Sequence, residues 1–244
     1  MIAAIIQAST GSKRLPGKVL ADIERKPMLS HIIDRIKETQ VDNIIVATTL
    51  DDADIAIMEI ATLNTVSYFA NGDTINTKNL LDKYYQAARM ANANIIVRIT
   101  ADCPLIDPQI VDTIIYRFLK GDCDYTSNVM EHERTYPDGL DTEVFGFKAL
   151  ETAWRNATST YDLEHVTPYI HHHPDKFRIV HVKNNIDLSS LRWTVDHTED
   201  LEFVRHVYHN LYREGQCFYM QDVLNLLQEH PELTGINRNR VIRE

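Results

Sequence analysis

The sequence predicts an α/β fold in which a mostly parallel central sheet is flanked by helices. Three observations carry that reading. Short runs rich in Ile, Val and Thr, each bounded by polar residues, recur through the first half of the chain. Amphipathic segments with helical spacing lie between them. The connections are short, which for parallel strands implies right-handed crossovers and a sheet covered on both faces.

In order, residues 2–6 read as the first strand, and a loop over residues 8–20 follows. A helix starts at about Met28, with Leu29, Ile32, Ile33 and Ile36 on one face. Residues 43–48 form the next strand, 53–61 a helix, 65–69 a strand, 79–90 a helix and 95–100 a strand. Asp107 before Pro108 opens a further helix, the aspartate as a capping side chain and the proline at the first helical position. Its stripe is Ile110, Val111, Ile114, Ile115 and Phe118. The second half is less regular: 144–147, 177–182 and 191–195 read as strands, and 149–156, 163–171, 199–214 and 220–229 as helices. The Arg- and Asn-rich tail over 231–244 is expected on the surface. No Pro/Gly/Ser-rich linker, repeat or composition break separates the halves, so residues 1–244 are expected to form one domain.

Composition bounds the function. The 244 residues are 44% hydrophobic and carry a formal charge of −10, which argues against a nucleic-acid-binding surface. No run approaches the roughly 20 apolar residues of a membrane span, and the N-terminus lacks a signal-peptide pattern. Cys103, Cys123 and Cys217 lack metal-ligand spacing, so neither a disulfide framework nor a zinc cage is expected. The expectation is a cytoplasmic protein.

Against that acidic background, residues 8–20 read ASTGSKRLPGKVL and hold Gly11 and Gly17 of only eight glycines, with Lys13, Arg14 and Lys18. Backbone N–H groups of a glycine-containing loop, with Lys and Arg, suit phosphate oxygens. The stretch is neither a Walker loop nor Gly-x-Gly-x-x-Gly. Composition alone also fits an ordinary solvated basic loop.

The stretch Gly11-Ser12-Lys13-Arg14-Leu15-Pro16-Gly17-Lys18 resembles the signature of the CMP-sugar synthetases, the cytidylyltransferases that activate acidic sugars such as Kdo and sialic acid. More closely, the chain resembles the branch typified by spore coat polysaccharide biosynthesis protein F. Four further blocks agree, in the same order: Arg98 to Leu105, Tyr136 to Phe145, Glu164 to Tyr169, and Arg192 to Asp196. The resemblance implies a nucleotide-diphospho-sugar transferase (GT-A-like) fold, CTP as donor, Mg²⁺ as cofactor and a small-molecule acceptor. It assigns Ala8, Gly11, Ser12, Arg14, Lys18 and Thr100 to the nucleotide, with Lys18, Arg14 and Asp102 catalytic. It also implies a homodimer, with the half from about residue 125 supplying the acceptor pocket and dimer contacts. Two positions depart from the branch's pattern: Ser9 stands where arginine is usual, and Ala101 where glycine is. Loss of an arginine removes one potential two-pronged phosphate contact.

Nucleotidyl transfer depends on positioning and on neutralising charge. Asp102 follows the strand 95–100 and Asp196 the expected strand 191–195, so both carboxylates can converge on one Mg²⁺. Asp196 can instead cap the helix that follows. Asp138, Asp141 and Glu143 form an acidic patch around Gly139 that suits an acceptor's hydroxyl or amino groups, although Asp138-Gly139 is also a common turn pair. Arg134 nearby could meet an acceptor carboxylate or phosphate. His165 is a further substrate-pocket candidate. His171, His172 and His173 project in different directions from a helix end and are expected on the surface rather than on one ion. Asp122-Cys123-Asp124 matches the Asp-x-Asp of glycosyltransferases on the same fold, a short motif that arises by chance. A nucleotide-sugar glycosyltransferase and a nucleotide-binding homologue without catalysis are the alternatives.

Overall fold

The computed structural model describes residues 1–72, 79–130 and 133–238. Among them seven strands form one sheet in the order β5-β4-β1-β6-β8-β7-β9, and two short strands, β2 (Asp22–Ile23) and β3 (Lys26–Pro27), pair as a separate ribbon. The parallel half matches the sequence expectation. β1 (Ile2–Gln7) lies between β4 (Asn43–Thr49) and β6 (Ile95–Thr100), and β5 (Ser67–Asn71) forms the edge beyond β4. The helices α1 (Met28–Lys37), α2 (Ile55–Leu63) and α3 (Leu80–Met90) lie between successive strands, and α4 (Pro108–Leu119) follows β6. Asp107 caps α4 by accepting from Gln109 N–H at 2.8 Å, with Pro108 in the first turn.

Past α4 the sheet changes direction. β8 (Glu143–Gly146) runs antiparallel to β6 and to β7 (Tyr125–Ser127), and β9 (Ile179–His181) pairs parallel with β7. Helices α5 (Phe147–Asn156), α6 (Thr160–His165), α7 (Pro168–His171), α8 (Thr198–Leu211) and α9 (Met220–Glu229) complete the order. Alternate residues of each strand serve the two faces. Ala4, Ile6, Val97 and Ile99 pack with α1, α4, α8 and α9, while Ala3, Ile5, Ile96 and Phe145 pack with α3, α5 and α7.

Three expectations need correction. Residues 191–195 are not a strand; their one ladder contact is an isolated parallel bridge between Asp138 and Arg192, because the segment is held between two loops instead of a sheet edge. The single helix expected over 163–171 is two. Val166 sits at φ 72° and ψ −56°, and Thr167 N–H reaches back to His165 O at 2.9 Å, a γ-turn that no helix can contain. The tail is not all surface either: Leu233 and Asn237 are buried, the first in the core and the second against a charged network. Residues 239–244 of that tail lie outside the described residues.

Candidate active site

The loop after β1 is anchored at both ends. Thr10 donates its backbone N–H and its hydroxyl to Asp54 Oδ1 at 2.8 and 2.6 Å, and the hydroxyls of Thr48 and Thr49 satisfy Oδ2 at 3.2 and 2.7 Å. Burial pushes the Asp54 carboxyl up, but the hydrogen bonds from Thr10, Thr49 and Thr48 outweigh it and hold the group below its usual range. Gly17 N–H then closes onto Thr10 O at 2.9 Å, with Gly17 left-handed at φ 70°, a conformation that favours glycine. Ser9 Oγ accepts from Gly11 N–H at 3.1 Å, so the residue that departs from the branch's arginine here shapes the loop locally. Ala101, the other departure, is buried against the core. Ala8 is likewise buried, and Ser12 Oγ accepts from Leu15 N–H at 3.3 Å.

This loop delivers Lys18 to the centre of the site. Its ammonium lies 3.1 Å from Asp102 Oδ2, 3.0 Å from Asp196 Oδ1 and 2.7 Å from the carbonyl of Val195. Burial lowers the Lys18 pKa, but the two carboxylates raise it by more, so the ammonium stays protonated beyond its usual range. Arg14 reaches the same Asp196 Oδ1 at 2.6 Å with half of its side chain still exposed. Asp102 and Asp196 are fastened together by backbone, since Val195 N–H and Thr194 Oγ1 both donate to Asp102 O, at 2.8 and 3.2 Å. Asp196 does not cap α8. The cap position is His197, and Asp200 accepts the N–H groups of Asp196 and His197 at 3.0 and 2.9 Å.

A second layer of ion pairs supports the first. Arg192 donates to Asp196 Oδ2, Asp138 Oδ2 and both oxygens of Asp200, all at 3.0–3.1 Å. Arg134 forks onto Asp141 at 2.6 and 3.0 Å. Gly139 sits between them at φ 113°, pressed against the backbone of Trp193 and Thr194; a Cβ there would stand 2.5 Å from Thr194 N. Residues 138–141 are thus stitched to 191–195, with Asp138 N–H on Leu191 O at 2.9 Å and Trp193 N–H on Asp138 O at 2.6 Å.

Glu143 occupies a different setting from Asp138 and Asp141. It is 4% exposed, ion-paired with Arg98 across the β6–β8 pair, and accepts from Tyr125 OH at 2.8 Å. Burial pushes its carboxyl up, but Arg98 and His171 pull it down further, so it stays ionised. His171 packs its ring 4.6 Å from that of Tyr125, and burial holds its pKa down; it is not the surface residue expected. His172 is exposed, and His173 Nδ1 meets Tyr169 O at 2.7 Å, so the three histidines have separate surroundings. His165 is exposed on α6 beside Tyr161. Strand alternation sets Gln7, Thr100, Arg98, Glu143 and His181 along the α3–α7 face. Among the described residues the buried Gln7 Oε1, Arg98 Nε, His171 Nε2 and His181 Nδ1 have no hydrogen-bond partner. Asp122 and Asp124 lie at the start of β7, near the opposite end of the sheet from Asp102, and pair with Arg117 and Arg178.

Sequence reasoning missed Asp54, Arg98 and Arg192. The signal was available for Arg98, a charge inside an otherwise apolar strand. For Arg192 it was partial, because Asp196 and Asp200 lie near it in sequence but Asp138 does not.

No group of three or more His, Cys, Asp or Glu side chains gathers to hold a metal among the described residues. The donor set around Lys18 nevertheless fits a hard cation: two carboxylate oxygens and one carbonyl oxygen already surround an ammonium. Mg²⁺ takes one or two carboxylates and completes its shell with phosphate and water.

A family model described as Cytidylyltransferase matches residues 3–230. The spore coat polysaccharide biosynthesis protein SpsF of Bacillus subtilis is 27% identical over 93% of this chain and 94% of its own. A cytidylyltransferase from Leptospira borgpetersenii serovar Hardjo-bovis has the same fold, with a TM-score of 0.89, 31% identity, and coverage of 100% of this chain and 99% of that one. CMP:2-keto-3-deoxy-manno-octonic acid synthetase, solved in complex with CTP, aligns at a TM-score of 0.65 and 18% identity over 86% of this chain and 99% of its own.

Proposed function

The chain belongs to the cytidylyltransferase family, and we propose that it transfers CMP from CTP to an acidic sugar or a small phosphate or phosphonate acceptor, releasing pyrophosphate, for a cell-surface polysaccharide. The observation that carries this reading is Lys18 held between Asp102 and Asp196 at the end of a basic, glycine-closed loop. The acceptor's oxygen attacks the α-phosphorus and the bond to the β-phosphate oxygen breaks. Lys18 and Arg14 meet the triphosphate's negative charge, with Ala8, Gly11, Ser12 and Thr100 forming the wall of the nucleotide site. Asp102 and Asp196 hold Mg²⁺, which when bound neutralises phosphate oxygens that the two cations cannot offset alone.

The acceptor binds between the Asp138–Asp141 loop and the polar row of Arg98 and Glu143, with His165 at its rim. Buried polar atoms that have no partner among the described residues support that placement, since such atoms are usually satisfied by something. The chain works as one domain, with the half from about residue 125 supplying acceptor contacts and a homodimer interface. It acts in the cytoplasm; among the described residues no helix is long and apolar enough to cross a membrane.

The test is pyrophosphate release from CTP and Mg²⁺ across a panel of acidic sugars, phosphates and phosphonates, with ATP, GTP and UTP as competitors. Release that needs CTP and one acceptor class is the expected result. Release with every nucleotide alike, or with none of the acceptors, overturns the assignment.

A further inference from the structure

The reading above leaves Arg192 without a role, although four hydrogen bonds from its guanidinium reach three carboxylates. We propose that Arg192 is a positioning residue: it aims Asp196 at the nucleotide side of the site and ties that aim to the acceptor loop through Asp138. The inference rests on the assignment of Asp196 to the metal and nucleotide.

A carboxylate turns easily about its terminal torsion, which has broad rather than sharp minima. Asp196 is buried, and its two oxygens face opposite ways. Oδ1 meets Lys18 and Arg14, and Oδ2 is held by Arg192 Nη2 at 3.0 Å. Fixing Oδ2 fixes the plane that presents Oδ1. Arg192 is itself held rigid. Asp200 takes Nε and Nη2 as a fork at 3.0 and 3.1 Å, and the side chain of Asp200 is 0% exposed. Asn237 Nδ2 donates to Asp200 Oδ1 and to Arg192 O, both at 3.0 Å. The remaining nitrogen, Nη1, reaches Asp138 Oδ2 at 3.0 Å. A planar fork satisfies these three directions at once, whereas the point charge of a lysine does not. Arg192 stands behind Asp196 on the side away from Lys18 and Arg14, so it acts through the carboxylate.

The experiment compares Arg192→Lys, Asn237→Ala, Asp196→Asn and the Arg192→Lys/Asp196→Asn double variant. Mn²⁺ serves as the probe, its binding in the presence of CTP read from the resonance signal of the free ion, alongside kcat, the KM for CTP and Tm. Loss of an outer partner of a metal ligand costs about 10–100-fold in metal affinity or activity. Arg192→Lys is expected to weaken Mn²⁺ binding and kcat in that range while CTP binding measured without divalent ion changes by about twofold or less. Asn237→Ala leaves every charge in place and is expected to show the same pattern, smaller. In the double variant Mn²⁺ binding is expected to equal that of Asp196→Asn alone, because there is no longer a carboxylate to aim. Wild-type Mn²⁺ binding in Arg192→Lys and Asn237→Ala, with only a lower Tm, overturns the positioning role and leaves the metal assignment standing. Wild-type Mn²⁺ binding in Asp196→Asn overturns the metal assignment itself, and the inference falls with it.

Discussion

Replacing Gly139 by alanine tests the joint between the Asp138–Asp141 loop and the backbone that carries Asp196. An alanine Cβ would stand 2.5 Å from Thr194 N, 2.5 Å from Trp193 C and 2.8 Å from Trp193 O, all backbone atoms, whereas ordinary contact begins at 3.4 Å. The backbone must therefore give by most of an ångström. It cannot do so without straining Trp193 N–H on Asp138 O and Val195 N–H on Asp102 O. Two such bonds are worth about 1 kcal/mol each net. Holding an L-residue at φ 113° adds about 1–3 kcal/mol. The expected loss is thus about 3–5 kcal/mol. In a chain of this size each kcal/mol moves Tm by about 2–4 °C, so Tm should fall by about 6–20 °C. Thermal unfolding followed by circular dichroism measures this. A Gly139→Ala protein that melts within about 2 °C of wild type would refute the argument that the two backbones touch here.

Lys18→Ala is expected to reduce kcat by about 10²–10³, the effect of removing one preorganised donor, as read from pyrophosphate release; unchanged turnover would count against the loop as phosphate site. Asp141→Asn should raise the acceptor's KM and leave that for CTP near wild type, a split that steady-state kinetics separates. Glu143→Gln leaves Arg98 buried without its countercharge and should destabilise by about 3–5 kcal/mol, while an Arg98→Met/Glu143→Leu double variant should be closer to wild type in urea denaturation. Burial lowers the pKa of His31 below its usual 6.5, so the folded state favours the neutral ring. The stability this gives is full above pH 6.5 and is lost as pH falls from there through the folded pKa. His31→Gln, which keeps an N–H donor for Ile23 O, should flatten Tm against pH below 6.5.

The parallel half was legible because three of its strands, β1, β4 and β6, are mostly buried and read as apolar runs rich in Ile and Val, such as Ile44, Ile45 and Val46. The antiparallel insertion was harder. β7 is only Tyr125, Thr126 and Ser127, too short and too polar to announce a strand, although all three are buried. At the site, Lys18, Asp102 and Asp196 could be named because each sits in a long block next to a chain reversal. The meeting of Asp102 and Asp196 was expected from their places in the sequence, but neither Lys18 between them nor the bond that joins their backbones, Val195 N–H on Asp102 O, could be read there. The Arg192 network was legible only in part, since its four partners lie in three separate stretches. Glu143 looked like a member of the acidic patch, yet as the first residue of β8 it is buried in the sheet beside Arg98, while Asp141, ahead of the strand, pairs with Arg134.

The γ-turn at Val166 separates two helices that the sequence would join, and it does so with a residue ill-suited to its own backbone. A β-branched side chain at φ 72° costs about 1–3 kcal/mol. The same side chain is fully buried among Tyr169, Phe177 and their neighbours, a burial that contributes about 1.5–3 kcal/mol. The two effects nearly cancel, so the turn is a latch whose catch is hydrophobic and whose spring is the peptide chain. Upstream of it His165 faces solvent; downstream His171 lies against Tyr125 and near Glu143. A shift of Val166 out of its socket would release the strain and forfeit that burial. The point where the chain turns from α6 into α7 is therefore set by an aliphatic side chain seated in the core against the preference of its own backbone.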